Sequence, residues 1–258
     1  MQSEFLKMRY SKWILFVTAF IPVFAVGMML LLPIQGIFGF ELYATKCLQS
    51  LYLTQNWFIV LAALYFGEEY KTGTLRTTLM ACPDRLRFLK EKTGCFFVWI
   101  TLVLCIAIGC CMLVFFMRHE EIWGGISKDN VKNLASDIAS NLGYGMTESM
   151  GIVLIARAVQ VILSVLELAG IMVALTMLFR SGILSMAVGI ALLMGAGHML
   201  LQLGGAFRYL PGICTMNAFY LSPMPGFLNI KEGLICQGVW CVLLLMVAGF
   251  VFQRRSVR

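Results

Sequence analysis

Six stretches of the chain are apolar for long enough to cross a bilayer, at about residues 13–32, 49–66, 95–117, 152–178, 183–203 and 234–252. Between them the sequence turns polar or fills with Gly and Pro. A hydrocarbon core of about 30 Å takes about 20 helical residues per crossing. The runs are continuous instead of alternating, and Val98 to Leu104 is broken only by Thr101. Barrel strands of about ten alternating residues do not fit that pattern. Backbone groups in lipid must pair within their own segment, which predicts a helix for each run. The expectation is one all-α domain over residues 1–258, a polytopic membrane protein with six transmembrane helices.

The same pattern marks the irregular places. Residues 1–12 alternate charge with Phe5, Leu6 and Met8, as in a short amphipathic helix lying on the membrane surface. Pro22 should kink the first span and Pro33 should end it. In the long polar stretch 118–151, Val131, Leu134, Ile138 and Leu142 recur at helical spacing. Residues 204–233 mix Pro211, Pro223, Pro225 and several glycines with apolar side chains, which predicts a re-entrant segment before the last span. Such backbone survives at membrane depth only where protein or a watery cavity covers it. Ala187, Ala191 and Gly195, four apart, let another helix approach closely, within the subunit in the first reading or between two subunits in the other.

Composition agrees with the pattern. The chain is 60% hydrophobic and 13% charged, where a soluble domain carries about 25% charged residues. Mean hydropathy is +0.86. The net charge of +7 is distributed unevenly. With six spans, thirteen Lys and Arg fall on the side of the termini and six on the other, with Arg157 inside a span. That bias places both termini in the cytoplasm of a multi-pass protein. The cytoplasmic bases are scattered over four segments, so nucleic acid is not expected as a partner. The basic start resembles a signal peptide, but its apolar run is long and no small-x-small site follows Leu32-Pro33. It reads as a retained first span.

Of nine Cys, six (Cys95, Cys105, Cys110, Cys111, Cys236 and Cys241) lie in or beside apolar runs and act there as small apolar residues. Cys47 and Cys214 are left as a candidate pair. His119 and His198 lie on different segments, and no C-x-x-C is present, so no metal site is expected. Neither a G-x-x-x-x-G-K-[ST] loop nor an H-E-x-x-H or G-x-S-x-G motif occurs. Ser164 or Ser185 with His198 is a pair that any six-span chain offers by chance, so no catalytic residues are assigned.

The segment 67–94 carries the most distinctive pattern. Glu68 and Glu69 leave the second span, and Gly73 permits a sharp turn. Thr74 can cap a short helix whose Leu75, Leu79 and Cys82 share a face, and Pro83 ends it. Arg85, Arg87, Lys90 and Lys92 then lead into the third span. Two readings stand: an interfacial helix anchored among headgroups, or a lever on which a soluble partner pushes.

The string from Glu68 through Lys71, Gly73, Thr74, Leu75 and Arg76 to Leu79, followed by Pro83-Asp84-Arg85, resembles the permease subunits of ABC-2 type transporters. The likeness is greatest to the branch of bacitracin and lantibiotic immunity permeases. It extends over essentially the whole chain, although only 67–92 has motif character. The resemblance implies a half-transporter in a bacterial plasma membrane. It would pair with a second permease copy or a homologue, and with two ATPase subunits that bind the ATP and Mg, leaving no cofactor in this chain. It also implies that Glu68, Glu69, Gly73, Thr74, Leu75, Arg76, Leu79, Pro83 and Arg85 form a coupling helix seated on the ATPase. Cargo would be an amphipathic molecule such as an antimicrobial peptide or drug. A stand-alone sensor or scaffold, and an intramembrane enzyme, are the other classes.

Polar residues inside spans form the second candidate site. Arg157 and Glu167 are ten residues apart on the fourth span, or about 15 Å. Each costs about 2.5–3.5 kcal/mol at a helix centre, so both should face protein or water. They line an export path, or else Arg157 snorkels or joins an interhelical salt bridge. Gln55, Asn56 and His198 are read either as path residues or as hydrogen-bonded glue between helices.

Overall fold

The computed structural model describes residues 2–32, 39–73, 85–117, 150–192, 199, 205–214, 216–220 and 228–254. All regular elements among them are helical: α1 Gln2–Tyr10, α2 Lys12–Leu31, α3 Gly39–Thr72, α4 Arg85–Met117, α5 Met150–Phe179, α6 Gly182–Ile190 and α7 Ile230–Arg254. Two 3-10 turns, Gly205–Tyr209 and Met216–Phe219, stand between α6 and α7.

Five of these helices, α2, α3, α4, α5 and α7, are long and apolar enough to cross a membrane. The predicted span 183–203 is helical as α6 with a π turn at 191–192, and 193–198 and 200–203 lie outside the described residues. Two predicted starts move. The second span begins at Gly39, not 49, and runs on through Glu68–Lys71 to Thr72. The third begins at Arg85, not 95, so Arg87, Lys90 and Lys92 belong to its first turns. Pro22 lies inside α2 without ending it, and Leu32 caps the helix through its N–H to the Met28 carbonyl, 2.9 Å.

Helices α3 and α5 are the centre of the bundle. Their most apolar stretches are 56% and 61% buried, against 11% for α7. The outer faces of α2, α4 and α7 present Phe16, Leu31, Leu102, Ile106, Val242 and Phe250 outward. A continuous apolar exterior of this extent is stable only where lipid covers it. It marks a multi-pass membrane protein.

Small residues set the closest approaches. A Cβ on Gly67 of α3 would lie 2.6 Å from the Cα of Gly182, and one on Gly182 would lie 2.6 Å from the Ala63 carbonyl oxygen. The two backbones therefore touch at the crossing of α3 and α6. A Cβ on Gly189 would meet Met172 Sδ at 2.6 Å. Packing of α6 within the subunit runs through Gly182, Ser185 and Gly189. The expected Ala187 and Ala191 are exposed, and Gly195 lies outside the described residues.

Candidate functional site

At the end of the bundle where α1 sits, four charges close an ion-pair cluster. Lys92, near the start of α4 and 2% exposed, places Nζ 2.6 Å from Glu69 Oε2 near the end of α3. Lys7 of α1 bridges Glu69 Oε1 at 3.3 Å and Glu4 Oε1 at 3.0 Å. Tyr65 donates its hydroxyl to Glu4 Oε2 at 2.9 Å. Two acids and two lysines cancel, which permits burial of Glu4, Glu69 and Lys92, each of which would otherwise cost several kcal/mol, on the order of the desolvation penalty, while the Lys7 side chain stays half-exposed.

Aromatic side chains build the floor. The Lys92 ammonium lies 5.0 Å from the Tyr65 ring centroid and 5.5 and 5.9 Å from those of Phe66 and Phe88. Tyr65 stacks on Phe96 with centroids 5.0 Å apart. Ring faces attract the cation, and their bulk keeps water away from the pair. Burial alone would raise the Glu4 carboxyl, but the hydrogen bonds from Lys7 and Tyr65 hold it below its ordinary range. Burial would lower Lys7, and its two glutamates outweigh that and raise it. The cluster ties α1, α3 and α4 together where the chain enters and leaves residues 74–84.

The expected short helix at the start of the chain is present as α1. Its inward face carries Met8 and the buried Glu4, while Leu6 points outward at 50% exposure. It is docked by charge as much as by apolar surface. Lys92, read as a base leading into the span, is interior.

Of the predicted coupling residues, Glu68 is exposed and Glu69 is buried in the cluster. Gly73 follows α3 with φ +68, a left-handed position that glycine adopts without strain. Arg85 begins α4. Thr74, Leu75, Arg76, Leu79 and Pro83 lie outside the described residues.

A polar seam crosses the bundle interior. Arg157, Gln160, Ser164 and Glu167 of α5 are all 0–1% exposed, and their spacing of three, four and three puts them on one face. Arg157 Nη1 donates to Gln160 Oε1 at 2.9 Å, so it does not reach outward to the surface. Gln237 of α7 donates to Ser164 Oγ at 3.0 Å. A Cβ on Gly233 would lie 2.7 Å from Gln160 Nε2, so the glycine lets α7 close on the seam. Glu167 accepts the Gly212 N–H at 3.1 Å and faces the Cys214 thiol at 3.5 Å. It thereby anchors the turn at 211–214.

Arg157 and Glu167 are therefore drawn to different partners. Gln160 Nε2 and Gln237 Oε1, with both side-chain polar atoms of Gln55 on α3, are buried without a hydrogen-bond partner among the described residues. Asn56 is half-buried and donates to the Leu53 carbonyl at 3.2 Å. His198 is outside the described residues. Gln160 and Gln237 were not singled out by the sequence reading, and Ser164 entered it only beside His198, although the periodicity from Arg157 to Glu167 passes through Gln160 and Ser164.

Beside the seam, a cavity of about 260 Å³ between α2, α3, α4 and α5 is walled by Met29, Tyr43, Leu51, Phe115 and Phe116, with Arg157 on one side. Cys47 lines it next to Cys111, while Cys214 stands by Glu167 and Cys236. Among the described residues all cysteines are free, and Cys47 and Cys214 are not joined. Ser164 and Ser185 both donate to carbonyls four residues back, at 2.8 and 2.7 Å. No group of three or more His, Cys, Asp or Glu suited to a metal occurs among the described residues. Comparison with protein-family models and with curated proteins gives no match.

Proposed function

We propose that the chain is the permease subunit of an ATP-driven ABC exporter, moving an amphipathic molecule outward. The observation that carries this reading is the ion-pair cluster of Glu4, Lys7, Glu69 and Lys92. A push on 74–84 is useful only if it moves spans instead of bending a loop, and this cluster clamps the helices on both sides of that segment. In this reading α6 and the residues after it complete a sixth span, and both termini face the cytoplasm of a bacterial plasma membrane. Two ATPase subunits carry the ATP and Mg, and a second permease completes the path. Exposed Glu68 would contact the ATPase, while Glu69 transmits the motion internally.

The seam and the apolar cavity suit an amphipathic cargo, one offering polar contacts and the other an oily wall. Nucleotide would favour one of two bundle arrangements by binding it more tightly. The test is purification of the tagged chain from native membranes. A co-purifying ATPase that is lost in Glu68→Lys supports the reading. Purification without any nucleotide-binding partner would leave a sensor or scaffold and sink the transporter.

A further inference from the structure

We propose that the groove between the start of α2, the end of α3 and the α5–α6 turn binds an anionic phospholipid of the adjacent leaflet. The groove holds about 610 Å³, within the range of about 300–1,000 Å³ common to small-ligand sites. Its walls are Trp13, Leu64, Ile183 and Met186, and among the described lining residues Lys71 and Arg180 stand against one acid, Glu68. Gly67 and Gly182 also line it, and their backbone contact keeps side chains off that surface.

Three features select a lipid. The groove lies at the ends of spanning helices, where the apolar exterior gives way to polar residues, which is headgroup depth. Trp13 and Ile183 are 72% and 78% exposed, and an indole at a span end sits at the membrane interface. The charge balance favours an anion, with Lys71 exposed and Arg180 on the left-handed turn at φ 54. An acyl chain would lie along the apolar wall and the phosphate would meet the two cations. The inference rests on the membrane placement of the chain and not on ATP coupling.

The test uses native mass spectrometry of the full chain in detergent, titrated with phosphatidylglycerol or phosphatidylcholine of the same acyl chains. Wild type should prefer phosphatidylglycerol by roughly tenfold or more, the scale set by two basic residues at a membrane surface. Lys71→Gln with Arg180→Asn, which tolerates the left-handed turn, should reduce the preference to less than about twofold on the same scale. Met186→Trp should lower occupancy by both lipids. A benzoylphenylalanine at position 183 should cross-link to lipid. Equal binding of the two lipids by wild type, an unchanged preference in the double variant, or cross-linking to a second copy of the chain overturns the proposal. None of these outcomes depends on a partner ATPase.

Discussion

Replacing Lys92 by Met tests the cluster most simply. The change keeps most of the length of the side chain and an apolar stem, but removes the cation that lies 2.6 Å from Glu69 and beside the Tyr65, Phe66 and Phe88 rings. Glu69 is 8% exposed, and its remaining partner is Lys7 at 3.3 Å. Breaking a buried pair on one side costs about 3–5 kcal/mol. The surviving Lys7 bond argues for the lower end, about 3 kcal/mol by the same measure. For a chain of this size that is a fall in melting temperature of roughly 6–12 °C. The five tryptophans report unfolding in detergent by intrinsic fluorescence. Adding Glu69→Gln to Lys92→Met removes both charges, so the double variant should recover most of the loss. A Lys92→Met melting temperature within about 1 °C of wild type, on that scale, would refute the claim that the pair is buried and mutually dependent.

Other expectations follow from the same coordinates. Gly67→Ala places a methyl 2.6 Å from the Gly182 Cα and should destabilise by about 1–3 kcal/mol through overpacking; Gly27→Ala, with open space around it, serves as the control in thermal melts. Glu4 is held below its ordinary 4.5 and Lys7 above its ordinary 10.5. The Glu4 contribution is thus present above about pH 4.5 and lost as pH falls through its lowered value, while that of Lys7 is present below about pH 10.5 and lost as pH rises through its raised one. Melting temperature against pH should show an acid limb that flattens in Glu4→Gln. Glu167→Leu removes the carboxylate that accepts the Gly212 N–H and should cost about 1–3 kcal/mol, whereas Glu167→Gln keeps an acceptor and should melt nearer to wild type.

How much of this the sequence reveals depends on the range of the interaction. Five span centres are legible because burial in lipid demands long apolar runs, and hydropathy reads those directly. Helix ends are not, since Arg85–Lys92 look like a solvated entry until Lys92 finds Glu69, twenty-three residues upstream in the chain. Glu4 is less legible still: its burial depends on Tyr65, sixty-one residues away. Within the seam, Arg157 and Glu167 stand out as charges in a span, and helical spacing leads from one to the other through Gln160 and Ser164. That Gln237 faces them is a tertiary fact. Small residues mislead in α6, where two stripes fit the helical period and the one with Gly182 and Gly189 is the one that packs.

In the proposed transporter the cluster couples residues 74–84 to the spans, and ATP-driven export by a complex purified with an ATPase tests that claim most directly. The variant to compare with wild type is Glu69→Gln with Lys92→Met, in which neither charge is stranded. Under the transporter reading proposed above, this variant still binds an ATPase and hydrolyses ATP, yet exports little, because the helices flanking residues 74–84 no longer move as one body. Export at the wild-type rate per ATP hydrolysed would contradict it.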